Sequence, residues 1–439
     1  MSDYLVDYPT QLHPFHFPCS MTDAVYGKSA VTELAPDVWQ VEGCLGINFF
    51  CSAPSANAYI LRDKDMVILF DPGMQPFYRS RILELLRKYK AAGCKTLVLI
   101  DSQGHWDHAL NNSVVLEAGF ENLRFLLPEP EVAVIDCQFH WLGDYKKLEA
   151  FFNPYLEWMA QEKEFEKFAQ TCSAYSELQY APVWDAINKI GPDSNYADHR
   201  AAMRLVVDRV LIGNKRNMSE MAEILTIDSR EKRTYGDTEW YGWQVGRFFI
   251  IHDGAHSPGH VCLYDPLNKL ALTGDVTIEV NPPFFDSNFN KIVDAAKGFR
   301  RMSEQGFIAL ASDAHRSKTF FPLAVEAMNM KHLIFTPLQL EDCMRGEDQC
   351  IEFFSSFEKF YSGMRRDVLQ TISTLGEASI DDIVTEWFKL DTPQTKFKKC
   401  FHFPSRPHVL VTRVLDEFGY NRRVSGDKIL FSLKESFRF

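Results

Sequence analysis

Asp101-Ser-Gln-Gly-His-Trp-Asp-His108 restricts the fold more than any other stretch. It follows the short apolar run Thr96-Leu-Val-Leu-Ile100 and opens a helix. Three metal-capable side chains, His105, Asp107 and His108, fall within four residues. At a strand-to-helix turn each residue leaves the backbone in its own direction, so such a cluster can converge on one point. A regular helix or strand does this poorly at that spacing. Three more apolar runs end in the same manner. Residues 243–251 lead into His252-Asp-Gly-Ala-His-Ser-Pro-Gly-His260, Lys269-Leu-Ala-Leu272 into Thr273-Gly-Asp275, and Ile308-Ala-Leu-Ala311 into Ser312-Asp-Ala-His315. Four strand ends each carry a ligand-capable residue.

Around these runs the pattern is α/β. Residues 38–41 alternate as a strand, while 58–61 and 66–70 flank Arg-Asp-Lys-Asp as a hairpin, and the second of them ends in Asp71-Pro-Gly73. Helices are predicted over 76–90, 109–118 and 289–304, with a strand at 123–127. Residues 1–35 are expected to form an N-terminal arm and 36–330 the catalytic domain. Inside that domain, about 129–235 is predicted to be a helical insertion rich in aromatic residues, either ordinary core or a lid beside the site. Residues 335–439 are expected to form a C-terminal domain. There, helices at 367–375, 378–389 and 408–418 precede a hairpin over 421–431 turning at Ser-Gly-Asp, a winged-helix-like order.

Composition narrows the function. With 47 basic against 59 acidic residues and a formal charge of −12, the chain is not expected to bind nucleic acid generally. No apolar run approaches the ~18 residues of a membrane span. The first residues, Met1-Ser-Asp-Tyr-Leu-Val-Asp-Tyr8, lack the basic start and apolar core of a signal peptide, so a cytoplasmic location is expected. The ten cysteines include no CxxC pair, which points to reduced thiols and away from a cysteine metal site.

Histidine nitrogen and carboxylate oxygen suit zinc, with iron or manganese as alternatives. The order and spacing of these residues resemble the metallo-β-lactamase superfamily, especially its glyoxalase II-like hydrolases. The family's HxHxDH is matched by Gln103-Gly-His-Trp-Asp-His108. Its later histidine, aspartate and final strand-end histidine are matched by Gly254-Ala-His-Ser-Pro-Gly259, Thr273-Gly-Asp275 and His315. The resemblance covers about 37–128 and 240–320. It implies a four-layer αββα sandwich holding one or two zinc ions. By it, His105 and His256 would hold one metal, Asp107, His108 and His315 the other, and Asp275 would bridge. Asp71 would orient a ligand histidine by accepting its other ring proton. His252 and His260 are expected to pack or support, not to ligate.

The resemblance further implies hydrolysis, in which a metal-bound hydroxide attacks an ester, thioester or related carbonyl and Asp107 helps orient it. The aromatic insertion suggests a bulky or acyl small-molecule substrate. The departure is Gln103, where the family has histidine. Three outcomes stay open: ligation through the amide oxygen, a single ion on Asp107, His108 and His315, or replacement by a distant residue such as His140. Two other activities remain as alternatives. One is a phosphodiesterase or nuclease using Arg413, Arg422, Arg423 and Lys428 of the C-terminal module, the other a di-iron oxidoreductase. A membrane partner is not expected, and a homodimer is left open.

Overall fold

The computed structural model describes residues 30–43, 56–73, 76–109, 111–135, 218–277, 287–316, 341–392, 394–395, 406–426 and 428–434. Two seven-stranded sheets and a terminal hairpin make up its strands. The first sheet runs in chain order: β1 (Val31–Ala35), β2 (Val38–Val41), β3 (Ala58–Asp63), β4 (Met66–Phe70), β5 (Thr96–Ile100), β6 (Asn122–Pro128) and β7 (Ala222–Leu225). Its first four strands are antiparallel and the rest pair in parallel. The second sheet contains β8 (Glu231–Tyr235), β9 (Thr238–Val245), β10 (Phe248–His252), β11 (Val261–Asp265), β12 (Leu270–Leu272), β13 (Leu310–Ser312) and β14 (Met344–Arg345). Only β12 and β13 pair in parallel there.

Side chains alternate across each strand, and both faces of the first sheet are covered. Ile60, Val67, Leu69, Leu97 and Leu99 pack outward against Ile82 and Leu86 of α1 (Pro76–Ala91) and Val114 of α3 (Val114–Ala118). Their neighbours Leu61, Ile68, Phe70, Val98 and Ile100 point inward and meet Phe248, Ile250, Val261, Leu263 and Leu272 of the second sheet. Burial on both faces is why β4 and β5 read as unbroken apolar runs. Between α1 and α3 lies the one-turn α2 (Trp106–Ala109), and after β6 comes the one-turn α4 (Val132–Ile135).

The outer face of the second sheet is covered by α5 (Phe289–Glu304), where Trp240 stacks on Phe299 at 4.9 Å. Asn288 caps this helix by accepting from Lys291 N at 3.0 Å. The layers therefore run helix, sheet, sheet, helix, as expected for the α/β sandwich. A long helix, α6 (Glu347–Leu375), lies on α5 with Phe354 stacked on Phe299 at 5.4 Å. Beyond it follow α7 (Ile380–Trp387), α8 (Arg406–Phe418) and the hairpin β15 (Tyr420–Ser425) with β16 (Lys428–Leu433). Ala378 bridges to Phe431 of that hairpin. The Glu417 carboxylate of α8 accepts from Phe289 N and Asn290 N at the start of α5, so the C-terminal helices are bonded to the sandwich.

Local expectations need four corrections. Residues 31–35 are an edge strand, not part of an arm. The helix expected over 109–118 is broken, because Asn111 and Asn112 turn their amides onto Pro72 O and Asp101 Oδ2 instead of supporting a continuous helix. The stretch 222–235 contains β7 and β8, not insertion helix. The pair Gly236-Asp237, with Gly236 at φ 62°, makes the two-residue turn from β8 into β9. Finally, in the stretch expected to be mostly helical from about 335, α6 is one continuous helix from Glu347 and not a separate segment starting at Asp367, with Phe353, Phe357, Phe360, Met364 and Val368 buried along it. The aromatic residues of the insertion between 139 and 180 lie outside the described residues. Among the described residues no helix is long and apolar enough to cross a membrane.

Candidate metal centre

The site forms where strands of both sheets end at one edge. Strand β4 runs into Asp71, which is held at φ 53°, an uncommon conformation for a residue with a side chain. Its backbone N–H donates to Ile100 O, and its Oδ1 accepts from Ser102 N at 2.6 Å. That arrangement aims Oδ2 at His108 Nδ1, 3.1 Å away. Strand β5 delivers Gln103, His105, Asp107 and His108. The loop after β10 delivers His256, the loop after β12 Asp275, and the loop after β13 His315. Backbone bonds knit these loops together, Val261 N to Ser102 O and Ala314 N to Gly274 O among them.

The side chains fall into two groups that share one carboxylate. Asp107, His108, Asp275 and His315 place one donor atom each within 4.8 Å of one another, and so do His105, His256 and Asp275. His108 Nε2 lies 3.2 Å and His256 Nε2 3.4 Å from Asp275 Oδ2, while His315 Nε2 lies 3.4 Å from Asp275 Oδ1. Asp107 Oδ2 is 3.2 Å from His315 Nε2 and 3.8 Å from His108 Nε2. The amide nitrogen of Gln103 sits 2.8 Å from both His108 Nε2 and Asp275 Oδ2. His105 and Asp107 keep 6% of their surface exposed and the other five 3% or less, so what access remains is on the side of those two.

Electrostatics tests whether a cation fits. Burial pushes the His108 imidazole down, but Asp275, Asp71 and Asp107 outweigh it and hold the group well above the ordinary histidine range. His315 is raised in the same way by Asp275 and Asp107 against its burial. Burial raises Asp275, yet His108, His315 and His256 keep it well below the usual carboxylate range. A site that holds protons this strongly has a negative potential that also favours a metal ion. Among the described residues, no Lys or Arg pairs with Asp107 or Asp275. Gln103 Oε1 and Asp275 Oδ1 are buried without a hydrogen bond. Buried carboxylates with no Lys or Arg partner, balanced here only by imidazoles that can give up their protons, suit a divalent cation.

Each of the seven candidate ligands therefore lies in this cluster. Asp71 touches His108 as expected. His260 stands behind the cluster: its Nδ1 faces the Asp253 carboxylate at 2.8 Å, and its Nε2 accepts from Asp275 N at 3.1 Å. Gly274 permits that approach, since it has φ 52° and a Cβ there would come within 2.5 Å of His260 Nε2. His252 lies outside the cluster, with Arg230 Nη1 2.8 Å from its Nδ1. His140 lies outside the described residues. Glu131 and Asp253 were missed. Glu131 follows the end of β6, the parallel neighbour of β5, and its carboxylate binds both ligand loops. Strand-end position was the signal that would have found it.

Comparison with known proteins gives the following. No curated protein matches the chain. Among solved structures, a metallo-beta-lactamase family protein from Thermus thermophilus aligns over 92% of this chain and 100% of its own, at 12% identity and a TM-score of 0.43. A beta-lactamase domain protein from Burkholderia ambifaria aligns over 95% and 97%, at 14% identity and 0.46. A stereoselective inverting sec-alkylsulfatase from Pseudomonas sp. aligns over 89% of this chain but 50% of its own, at 12% identity and 0.46. The family model of the metallo-beta-lactamase superfamily matches residues 209–318, the stretch that supplies His256, Asp275 and His315. Residues 209–318 are thus similar to the metallo-beta-lactamase superfamily.

Proposed function

We propose that the chain is a metal-dependent hydrolase of the glyoxalase II-like branch, acting on an ester, thioester or related carbonyl of a bulky or acyl small molecule. The observation that carries this reading is the sharing of Asp275 by two buried groups of metal donors. Gln103, His105 and His256 would hold one ion, Asp107, His108 and His315 the other, with Asp275 between them. Zinc suits these donors best, and iron or manganese are alternatives. A divalent ion bound here would acidify water toward neutral pH and polarise the carbonyl under attack.

The chain's own residues set up the rest. Asp71 keeps the His108 ring oriented through Nδ1, leaving Nε2 toward Asp275 and Asp107. Asp107 sits on the more exposed side, placed to accept a hydrogen bond from the attacking water and so orient it. Gln103 keeps a neutral amide where an imidazole would bind more tightly, so the ion beside His105 and His256 is the weaker of the two.

We take the two sheets with their covering helices, from β1 to β14, as the catalytic unit and the helices and hairpin that follow as a winged-helix-like module bonded to it. The nuclease alternative gains no observation. Arg413 pairs with Asp416, Arg423 with Glu377 and Lys428 with Asp382, so these cations are already partnered within the module. The test is elemental analysis of purified protein, followed by a screen of thioester, lactone, β-lactam and phosphodiester substrates with and without added metal. Metal-dependent turnover of a carbonyl substrate is expected. Turnover of phosphodiesters alone overturns the carbonyl reading, and activity unchanged by chelation overturns the metal.

A further inference from the structure

Glu131 is 1% exposed, at the end of a single 3-10 turn that follows β6. Its Oε2 accepts from Gly104 N at 2.6 Å, and its Oε1 accepts from Ser257 Oγ at 2.7 Å and Gly259 N at 2.8 Å. Gly104 separates Gln103 from His105, and Ser257 follows His256 directly. One buried carboxylate thus ties together the two loops that carry Gln103, His105 and His256. His108 has its own orienting partner in Asp71, and His315 rides on a third loop whose Asp313 accepts from His315 N and Arg316 N.

We infer that Glu131 is a positioning residue for the Gln103, His105 and His256 group, acting through the backbone beside those ligands. This rests on the metal-site reading above. A site built from two loops binds an ion well only if the loops are already at the right separation, and partners outside the ligand set supply that order. An ionised carboxylate suits the task because it only accepts. A glutamine cannot replace it. With its oxygen toward Gly104 N, the amide NH2 faces Gly259 N, and reversed it faces Gly104 N. Either way two donors oppose each other. The fit is close: a Cβ at residue 259 would come within 2.6 Å of Glu131 Cγ, so only glycine permits the contact. The weaker half of the site, with an amide in place of an imidazole, is therefore the half that depends on a separate brace.

The experiment titrates the full-length apo-protein with zinc and with cobalt(II), using chelator competition for affinity and the cobalt absorption bands for coordination. Wild type is compared with Glu131→Gln, His256→Ala, His315→Ala and the two double variants containing Glu131→Gln. Glu131→Gln is expected to weaken, by about 10–100-fold, the ion that His256→Ala removes, and to leave the ion that His315→Ala removes within about twofold. In His256→Ala the added Glu131→Gln should change nothing further. Ser257→Ala, which keeps both backbone donors, should show a smaller loss at the same ion and serves if Glu131→Gln does not fold. Wild-type affinity in both Glu131→Gln and Ser257→Ala, or losses that track His315→Ala, overturn the brace and leave the metal reading standing. A wild type that binds neither metal overturns the metal reading itself.

Discussion

The two halves of the centre are built differently. Around His108 the donors are a carboxylate and two imidazoles, and the orienting group, Asp71, is a carboxylate held by Ser102 N at the end of its own strand. Around His105 and His256 the proposed additional donor is the neutral amide of Gln103, whose nitrogen faces His108 Nε2 and Asp275 Oδ2, and order comes from Glu131, which reaches the ligands only through the groups beside them. Both halves use Asp275, and Asp275 is fixed from behind by His260 and Asp253. Charge and direct orientation favour the His108 half. That difference teaches where metal dependence should be strongest, and each variant below acts on one half.

The largest effect belongs to Asp107→Ala. It removes a carboxylate from the His108 half and the group placed to orient water, so turnover should fall on the order of 10³-fold or more. The fold should persist, because Asp107 contributes no core packing and the inter-sheet core lies elsewhere. Elemental analysis should show one ion lost and the other retained. Wild-type turnover by this variant would remove the asymmetry and the proposed chemistry together.

Asp71→Asn comes next. The amide can still contact His108 Nδ1 but no longer supplies a negative charge to its proton, so affinity in the His108 half should drop by about 10–100-fold. The His105 half should be unaffected. Equal losses in both halves, measured by chelator competition, would show that Asp71 serves the whole edge of the sheet and that the halves are not independent.

Legibility followed strand ends. The loops that follow the apolar runs at 96–100, 243–251, 269–272 and 308–311 each bring a ligand-capable residue into the site, though His252 at the end of β10 stays outside it. They converge because parallel neighbours such as β4, β5 and β6 deliver their ends to one edge. The sandwich was readable for the same reason, since strands buried on both faces stay apolar throughout. What was hidden depended on contacts distant in sequence. Glu131 meets Gly259 across 128 positions, so its place after a strand end made it a candidate but did not show which groups it would bind. Strands β7 and β8 were hidden because an aromatic-rich stretch outweighed the Gly236-Asp237 turn beside them. The break at Asn111 and Asn112 depended on which carbonyl and carboxylate their amides would find.

Gln103→His sharpens the comparison from the weak side. It restores an imidazole beside His105 and His256 and should tighten that ion by on the order of tenfold, with the His108 half unchanged. The measured ratio of the two affinities should shrink. An unchanged ratio would mean that the amide was never the limiting donor there.

The smallest effect tests how the His108 proton is shared. Ser102 Oγ lies 3.0 Å and Asp71 Oδ2 3.1 Å from the same Nδ1 atom, and a ring nitrogen carries only one proton. Only the hydroxyl meets Nδ1 with hydrogen-bond geometry, and the Asp71 carboxylate acts on the ring by proximity. Ser102→Ala should cost only about 1 kcal/mol, on the order of fivefold in affinity of the His108 half, because the nearby carboxylate can take over the proton once the hydroxyl is gone. Asp71→Asn and Ser102→Ala must then differ clearly in chelator competition. Equal losses would mean that the hydroxyl, through its place between Asp71 and His108, does the orienting. The stronger half would then rest on a neutral contact, as the weaker half does on its amide.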